Sequence, residues 1–300
     1  MKKYLYLVLL AISFALNASQ ECKEDISKGE VKAWQQKLEL GKAMMKGRLS
    51  KIEELLNSGV DTKSVFEYLL NFMQIKRVSI ELAEKIGELF IKHNIDIDQI
   101  FLGSTVFDKA INMSELEAVK LLIKLGADIN KQDLDGNTVL IELSGELGYE
   151  FEDENSITQN FKRRMLFLLL LNGANLTIAN NDNETFFDYL QENVEVQNVV
   201  NEFIDYILDA EGVNDIKGAE NALLIAAYLK EPNLVNALLR KGLWFKSQEN
   251  HYYFNNLIAD QPDIQALVNQ YKLEHHYLIT NTLLDNTELV PDLINVVHEY

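Results

Sequence analysis

LIKLGADINKQDLDGNTVLIEL, residues 122–143, changes character twice. An apolar helical run stops at Gly126, a polar stretch follows, and Thr138 opens a second apolar run. A glycine directly after a leucine-rich run is what a left-handed helix C-cap requires, because a side chain with a Cβ is strained there. Gly126 is therefore expected to end a helix and let the chain turn outward.

The break recurs. LLNSGVDTK (55–63), FIKHNIDID (90–98), LIKLGADIN (122–130), LLLNGANLT (169–177) and LLRKGLWFK (238–246) align on Gly59, Asn94, Gly126, Gly173 and Gly242. The steps are 35, 32, 47 and 69 residues, near one unit of about 33 or two of them. YILDAEGVND supplies Gly212 as a degenerate pivot inside the longest step. A helical segment precedes several pivots: AMMKG (43–47), TVFDKAINMSELEAVK (105–120), TVLIELSGELG (138–148), TFFDYL (185–190) and NALLIAAYLKEPNLVNALL (221–239). Such helix pairs are apolar on more than one side and cannot bury that surface alone. Stacking buries it, which predicts an all-α solenoid of helix-turn-helix repeats.

The unit resembles the ankyrin repeat, a turn or short hairpin followed by two antiparallel helices. Gly136, Thr138 and Leu140 match the start of the family pattern, Glu117, Val119, Leu121 and Leu122 its second helix, and Gly126 to Asn130 its closing turn. Val106, Val139 and Phe186 stand where the family has proline, and Asp108 and Ile141 where it has histidine. From those substitutions the family's ties between adjacent hairpins are not expected, and the repeats read as divergent. The resemblance covers residues 40–246, with 20–39 as a lead-in or capping helix and 247–300 as degenerate helical repeats or a cap. It implies binding through hairpin tips and the exposed face of the first helices. Carried onto this chain, the tips are Lys131, Gln132, Asp133 and Asp135 in one repeat and Asn180, Asn181 and Asp182 in the next.

Residues 1–19 are set apart as a secretory signal. Lys2 and Lys3 form a basic start, Tyr4 to Leu16 an apolar run, and small residues follow at Ala15, Ala18 and Ser19. The run is short of the roughly 20 apolar residues of a membrane span, so no stable membrane insertion is expected after cleavage. Glu21 precedes Cys22, which does not suit lipidation, and with a single cysteine no internal disulfide can form. The seven residues Met165 to Leu171 in RRMLFLLLLNG read as an outer packed helix. With 28 basic and 46 acidic residues the net charge is −18. That field repels nucleic acid and anionic membranes and attracts a basic protein.

The step from Gly126 to Gly173 is about 14 residues longer than the unit of about 33. The surplus is placed between the two helices of that repeat, near 145–160, as a solvated loop or an extended first helix. Tyr149 and Phe151 lie there among Glu150, Glu152, Asp153 and Glu154, a pattern that suits contact with a basic partner. Catalysis finds little support: no nucleophile elbow, phosphate-binding glycine loop or His-Glu-x-x-His pair occurs, and the five histidines form no ligand spacing. No catalytic residue, cofactor or metal is assigned. The reading is of a monomeric, exported, non-enzymatic interaction module, periplasmic or secreted, possible roles being an antagonist of a basic toxin or enzyme, or an accessory scaffold for one. A small-molecule site or enzyme in the aromatic, histidine-bearing C-terminal part is the remaining alternative.

Overall fold

The computed structural model describes residues 28–60, 78–100, 103–112, 116–147 and 156–285, with scattered positions between 62 and 73. The first part of the chain supplies α1 (Lys28–Met45), α2 (Leu49–Asn57), α3 (Ile80–Lys92), α4 (Val106–Asn112), α5 (Leu116–Lys124) and α6 (Val139–Glu146). There follow α7 (Ser156–Leu171), α8 (Phe186–Glu192), α9 (Val194–Asp209), α10 (Ala219–Tyr228), α11 (Pro232–Arg240), α12 (Gln248–Leu257) and α13 (Pro262–Asp285). An isolated antiparallel bridge joins Gln132 and Thr138. The fold is an all-α, ankyrin-type array of helix pairs. The chain divides into two compact units, residues 1–101 with 120–127 and residues 102–119 with 128–300.

In the first unit α2 packs on α1 and on α3. The spacing of Ala83, Ile86, Gly87 and Phe90 places them on the buried face of α3, one stripe of a helix with 3.6 residues per turn. Ser79 starts that helix by accepting a hydrogen bond from the Leu82 N–H through its side chain. Val65, Leu69, Leu70 and Met73 are buried in the same unit. Lys92 pairs with Glu53 at 2.7 Å and Lys124 with Glu84 at 2.7 Å, each linking consecutive outer helices.

In the second unit α4, α6, α8, α10 and α12 are the first helices of successive pairs. α6 packs against α4, α7 and α8, and α10 packs against α9, α11 and α12. α10 is buried almost all round, from Asn221 to Ala227. α9 buries Val196, Val199, Val200, Phe203, Ile204 and Ile207 in an unbroken i, i+3, i+4 stripe, each side chain contributing roughly 1.5–3 kcal/mol. The leucine-rich end of α7 packs on α9, where Phe167 meets Phe203 and Tyr206 edge-on at 6.3 and 5.7 Å. No described helix is long and apolar enough to cross a membrane.

The repeat pivots have the backbone their sequence demands. Gly59, Asn94, Gly126, Gly173, Gly212 and Gly242 all have φ between 56° and 85°. Two segment assignments change. Residues 221–239 are two helices, because Lys230 takes φ 58° and Pro232 occupies the first turn of α11, where its missing N–H costs nothing. Residues 105–120 likewise span the whole of α4 and the start of α5. In the long repeat the first helix is not extended: α6 ends at Glu146, and Ser156 to Arg164 of the surplus stretch lengthen the second helix, α7, to 16 residues. Residues 1–27, 148–155 and 286–300, which include the proposed signal, Cys22 and the aromatic-acidic insertion, lie outside the described residues.

Candidate protein-binding surface

The hairpin between α5 and α6 is held by its own side chains. Asp133 Oδ1 accepts from the N–H groups of Asp135 and Asn137, at 2.9 and 2.8 Å, and the Asp133 N–H donates to the Asn137 carbonyl. The next hairpin repeats the device: Asn180 Oδ1 accepts from the N–H groups of Asp182 and Glu184, and the Asn180 N–H donates to the Glu184 carbonyl. An Asp or Asn at this place bonds its own backbone two residues on and so fixes the turn.

The two hairpins are stitched together. Asn180 Nδ2 donates to Asn137 Oδ1 at 3.0 Å, and Gln132 Nε2 donates to the Ala179 carbonyl at 3.0 Å. The Asn181 amide group donates to the Leu134 carbonyl, the Asn181 backbone N–H to that of Asp135, and the Asn175 N–H to Asn130 Oδ1. The expectation that divergence would loosen these ties is therefore corrected. The amide side chains of Asn180, Gln132, Asn181 and Asn130 make most of them.

This placement divides the seven predicted tip residues. Asn180 is only 8% exposed, and the side chains of Gln132, Asp133 and Asn181 are engaged in the hairpins. Asp135 and Asp182 are exposed and Lys131 is half-exposed, and their side chains make no hydrogen bond among the described residues. The tip also carries Leu134, 69% exposed between Asp133 and Asp135, which charge-based reading passed over. Tyr149, Glu150, Phe151, Glu152, Asp153 and Glu154 lie outside the described residues.

Residues 107–143, from within α4 to within α6, match the family model described as ankyrin repeats (many copies). Over those residues the chain is similar to ankyrin repeats. No curated protein matches it. That likeness suggests a protein–protein interaction module.

Two first helices are capped with the help of a carboxylate three residues past a threonine. Thr105 and Asp108 exchange backbone-to-side-chain bonds at the start of α4, and Thr185 and Asp188 form the same capping box at α8. Asp108 is 3% exposed and faces Glu142 of α6 within hydrogen-bonding reach. Burial first, and then Asp108, Glu146 and Asp133, push the Glu142 carboxyl up to about 9. Glu142 Oε2 is buried and has no donor, so the arrangement is satisfied when Glu142 keeps its proton and its O–H donates a hydrogen bond to the Asp108 carboxylate. No group of three or more metal-capable side chains is arranged to hold a metal among the described residues.

The chain also gathers three aromatics that no sequence spacing connects. Phe187 of α8 stacks with Tyr228 of α10 at 4.5 Å and lies parallel to Tyr253 of α12 at 5.8 Å. The Tyr228 hydroxyl is within donating distance of the Phe187 carbonyl and Gln191 Oε1. Burial raises both phenols, and the nearby Asp188 carboxylate adds to the rise.

Proposed function

We propose that the chain is an exported ankyrin-repeat protein that binds and neutralises a basic protein, a toxin or an enzyme, in the periplasm, as a monomer and without chemistry of its own. The observation that carries this reading is the stitched hairpin row. Its internal ties hold Asn180, Asn181 and Gln132 in place and leave Lys131, Leu134, Asp135 and Asp182 turned to solvent. A fixed apolar knob among carboxylates gives a basic partner an anchor and a charge match without an ordering cost at the tip. The net charge of −18 supports the choice of a basic partner through long-range attraction.

The test is capture by the tagged full-length chain from a bacterial periplasmic fraction and from culture supernatants of competing strains. A basic protein that is retained, and whose activity is lost in the complex, supports antagonism. Retention of a resident enzyme with its activity intact makes the chain an accessory scaffold. Recovery of the tagged chain only in the cytoplasm removes the export part of the proposal.

A further inference from the structure

The last described helix pair closes around a histidine. Trp244 and Phe245, in the turn after α11, meet both helices of the pair: Trp244 stacks on Tyr271 of α13 at 5.3 Å, and Phe245 lies 4.9 Å from the buried Phe254 of α12. His251 of α12 is set into this cluster, its ring edge-on to Trp244 at 5.4 Å and stacked with Phe245 at 6.0 Å. Its Nε2 is enclosed and has no hydrogen-bond partner among the described residues. A neutral imidazole with its proton on Nδ1 presents only a bare nitrogen there, whereas an imidazolium must put an N–H where nothing receives it. The neighbouring charge is the wrong sign. Lys272 of α13 sits with its ammonium 5.5 Å from the Trp244 ring centre. Burial first, and then Lys272, hold the His251 pKa below the ordinary 6.5. The other charged and titratable groups of the surrounding elements are engaged elsewhere. Lys246 donates to the Asn214 carbonyl, Glu220 accepts from the backbone N–H groups of Lys246 and Ser247, Glu249 faces Asn175, and Glu274 accepts from Gln270. Tyr253 lies against Phe187, Tyr252 is 70% exposed, and His275 rests on Tyr271, whose phenol burial raises.

We propose that His251 is an acid-sensitive latch: neutral, it holds the turn after α11 against α12 and α13, and its protonation opens that pair while the upstream repeats stay folded. The Phe245 face offers an imidazolium a weak cation–π contact, but that contact supplies no acceptor for the enclosed N–H and does not remove the repulsion from Lys272. An opened pair exposes the ring to water and takes the proton more readily than the closed one. The closed pair is therefore favoured fully above the ordinary value of 6.5 and loses that advantage as pH falls through the lower folded value. Opening stays local because a repeat in a stacked array contacts only its neighbours. The inference does not depend on what the chain binds.

The test uses the full chain with Trp34→Phe, which leaves Trp244 as its sole tryptophan. Trp244 emission and its quenching by acrylamide are followed from about pH 7.5 to about pH 5, with circular dichroism alongside. Quenching rises about twofold or more in acid while most of the helical signal is kept. His251→Gln and His251→Phe each abolish the rise, and His275→Gln leaves it in place. Lys272→Gln, made at an exposed side chain, moves the midpoint up toward 6.5. A dimming of Trp244 without greater acrylamide quenching is protonation without opening, and overturns the latch. A rise that survives in both His251 variants, that His275→Gln removes, or that comes only with loss of helix throughout the chain overturns it as well. Lys272→Gln decides the matter even where a His251 variant folds poorly, since an unmoved midpoint removes the repulsion on which the latch depends and overturns the proposal.

Discussion

Glu142→Gln is expected to stabilise the protein, and by an amount that grows with pH. Glu142 ionises near 4.5 in an unfolded chain and near 9 in the folded one. Between those values the folded state holds a proton that the unfolded state has released, so folding stability falls as pH rises, by about 1.4 kcal/mol per pH unit. At pH 7 the cost reaches up to about 3 kcal/mol, less whatever solvent reaching the partly exposed side chain screens. Glutamine has the same shape, cannot ionise, and can donate its amide hydrogen to Asp108 as the protonated acid does. The variant should therefore melt several degrees higher at pH 7, gain further at pH 8.5, and match the parent near pH 4.5. Thermal melts followed by circular dichroism across that range, parent and variant side by side, cancel the titration of every other group. A difference in melting temperature that does not change with pH, or a variant less stable than the parent at pH 8.5, would refute the shared-proton account of this pair.

Gly126→Val should cost roughly 1–3 kcal/mol, the scale for a strained left-handed position. Its Cβ meets nothing within 4 Å, so a loss confirmed by chemical denaturation reports backbone strain alone. Gly218→Ala should be worse and show as poor expression or a sharply lowered melt, because an added Cβ would lie 1.7 Å from the Leu170 carbonyl oxygen. Asn180→Ala should cost about 1–3 kcal/mol by leaving the partners of a buried amide unsatisfied. For a captured partner, surface plasmon resonance over a salt series should show association slowing while dissociation changes little. The double variant Asp135→Asn, Asp182→Asn should slow association while leaving the melt in place, and no change in rate would remove the tips from the interface.

The pivots were legible because a left-handed cap leaves few choices of residue, and all six aligned positions take positive φ. The buried stripes of α3 and α9 could be read in the same way, since burial on a helix repeats with its turn. The break at Lys230 was less visible. Lysine is seldom left-handed, and only Pro232 two residues later marks the new helix. That part of the surplus lengthens α7 was hard to read because Phe161 to Arg164 is polar in sequence, although Lys162 is 8% exposed and lies 3.5 Å from Glu146, and Arg163 bridges to Glu195 and Glu202. The hairpin ties escaped notice for a different reason: a substitution shows which bond is lost, not which neighbouring amide replaces it. Phe187, Tyr228 and Tyr253 are far apart along the chain, and only the stacking of repeats brings their rings together.

Fastening the hairpins with asparagine and glutamine has a consequence in acid. Amides neither gain nor lose protons over the range in which imidazoles and carboxylates change charge. Asn180 to Asn137, Gln132 to Ala179 and Asn181 to Leu134 therefore keep the same donors and acceptors when the surroundings drop to pH 5, at which a histidine tie would have changed its bonding. The Glu142 carboxyl, raised by burial, grows more favourable over the same fall. Acidification that would change the bonding of an imidazole leaves the donors and acceptors of this seam as they are.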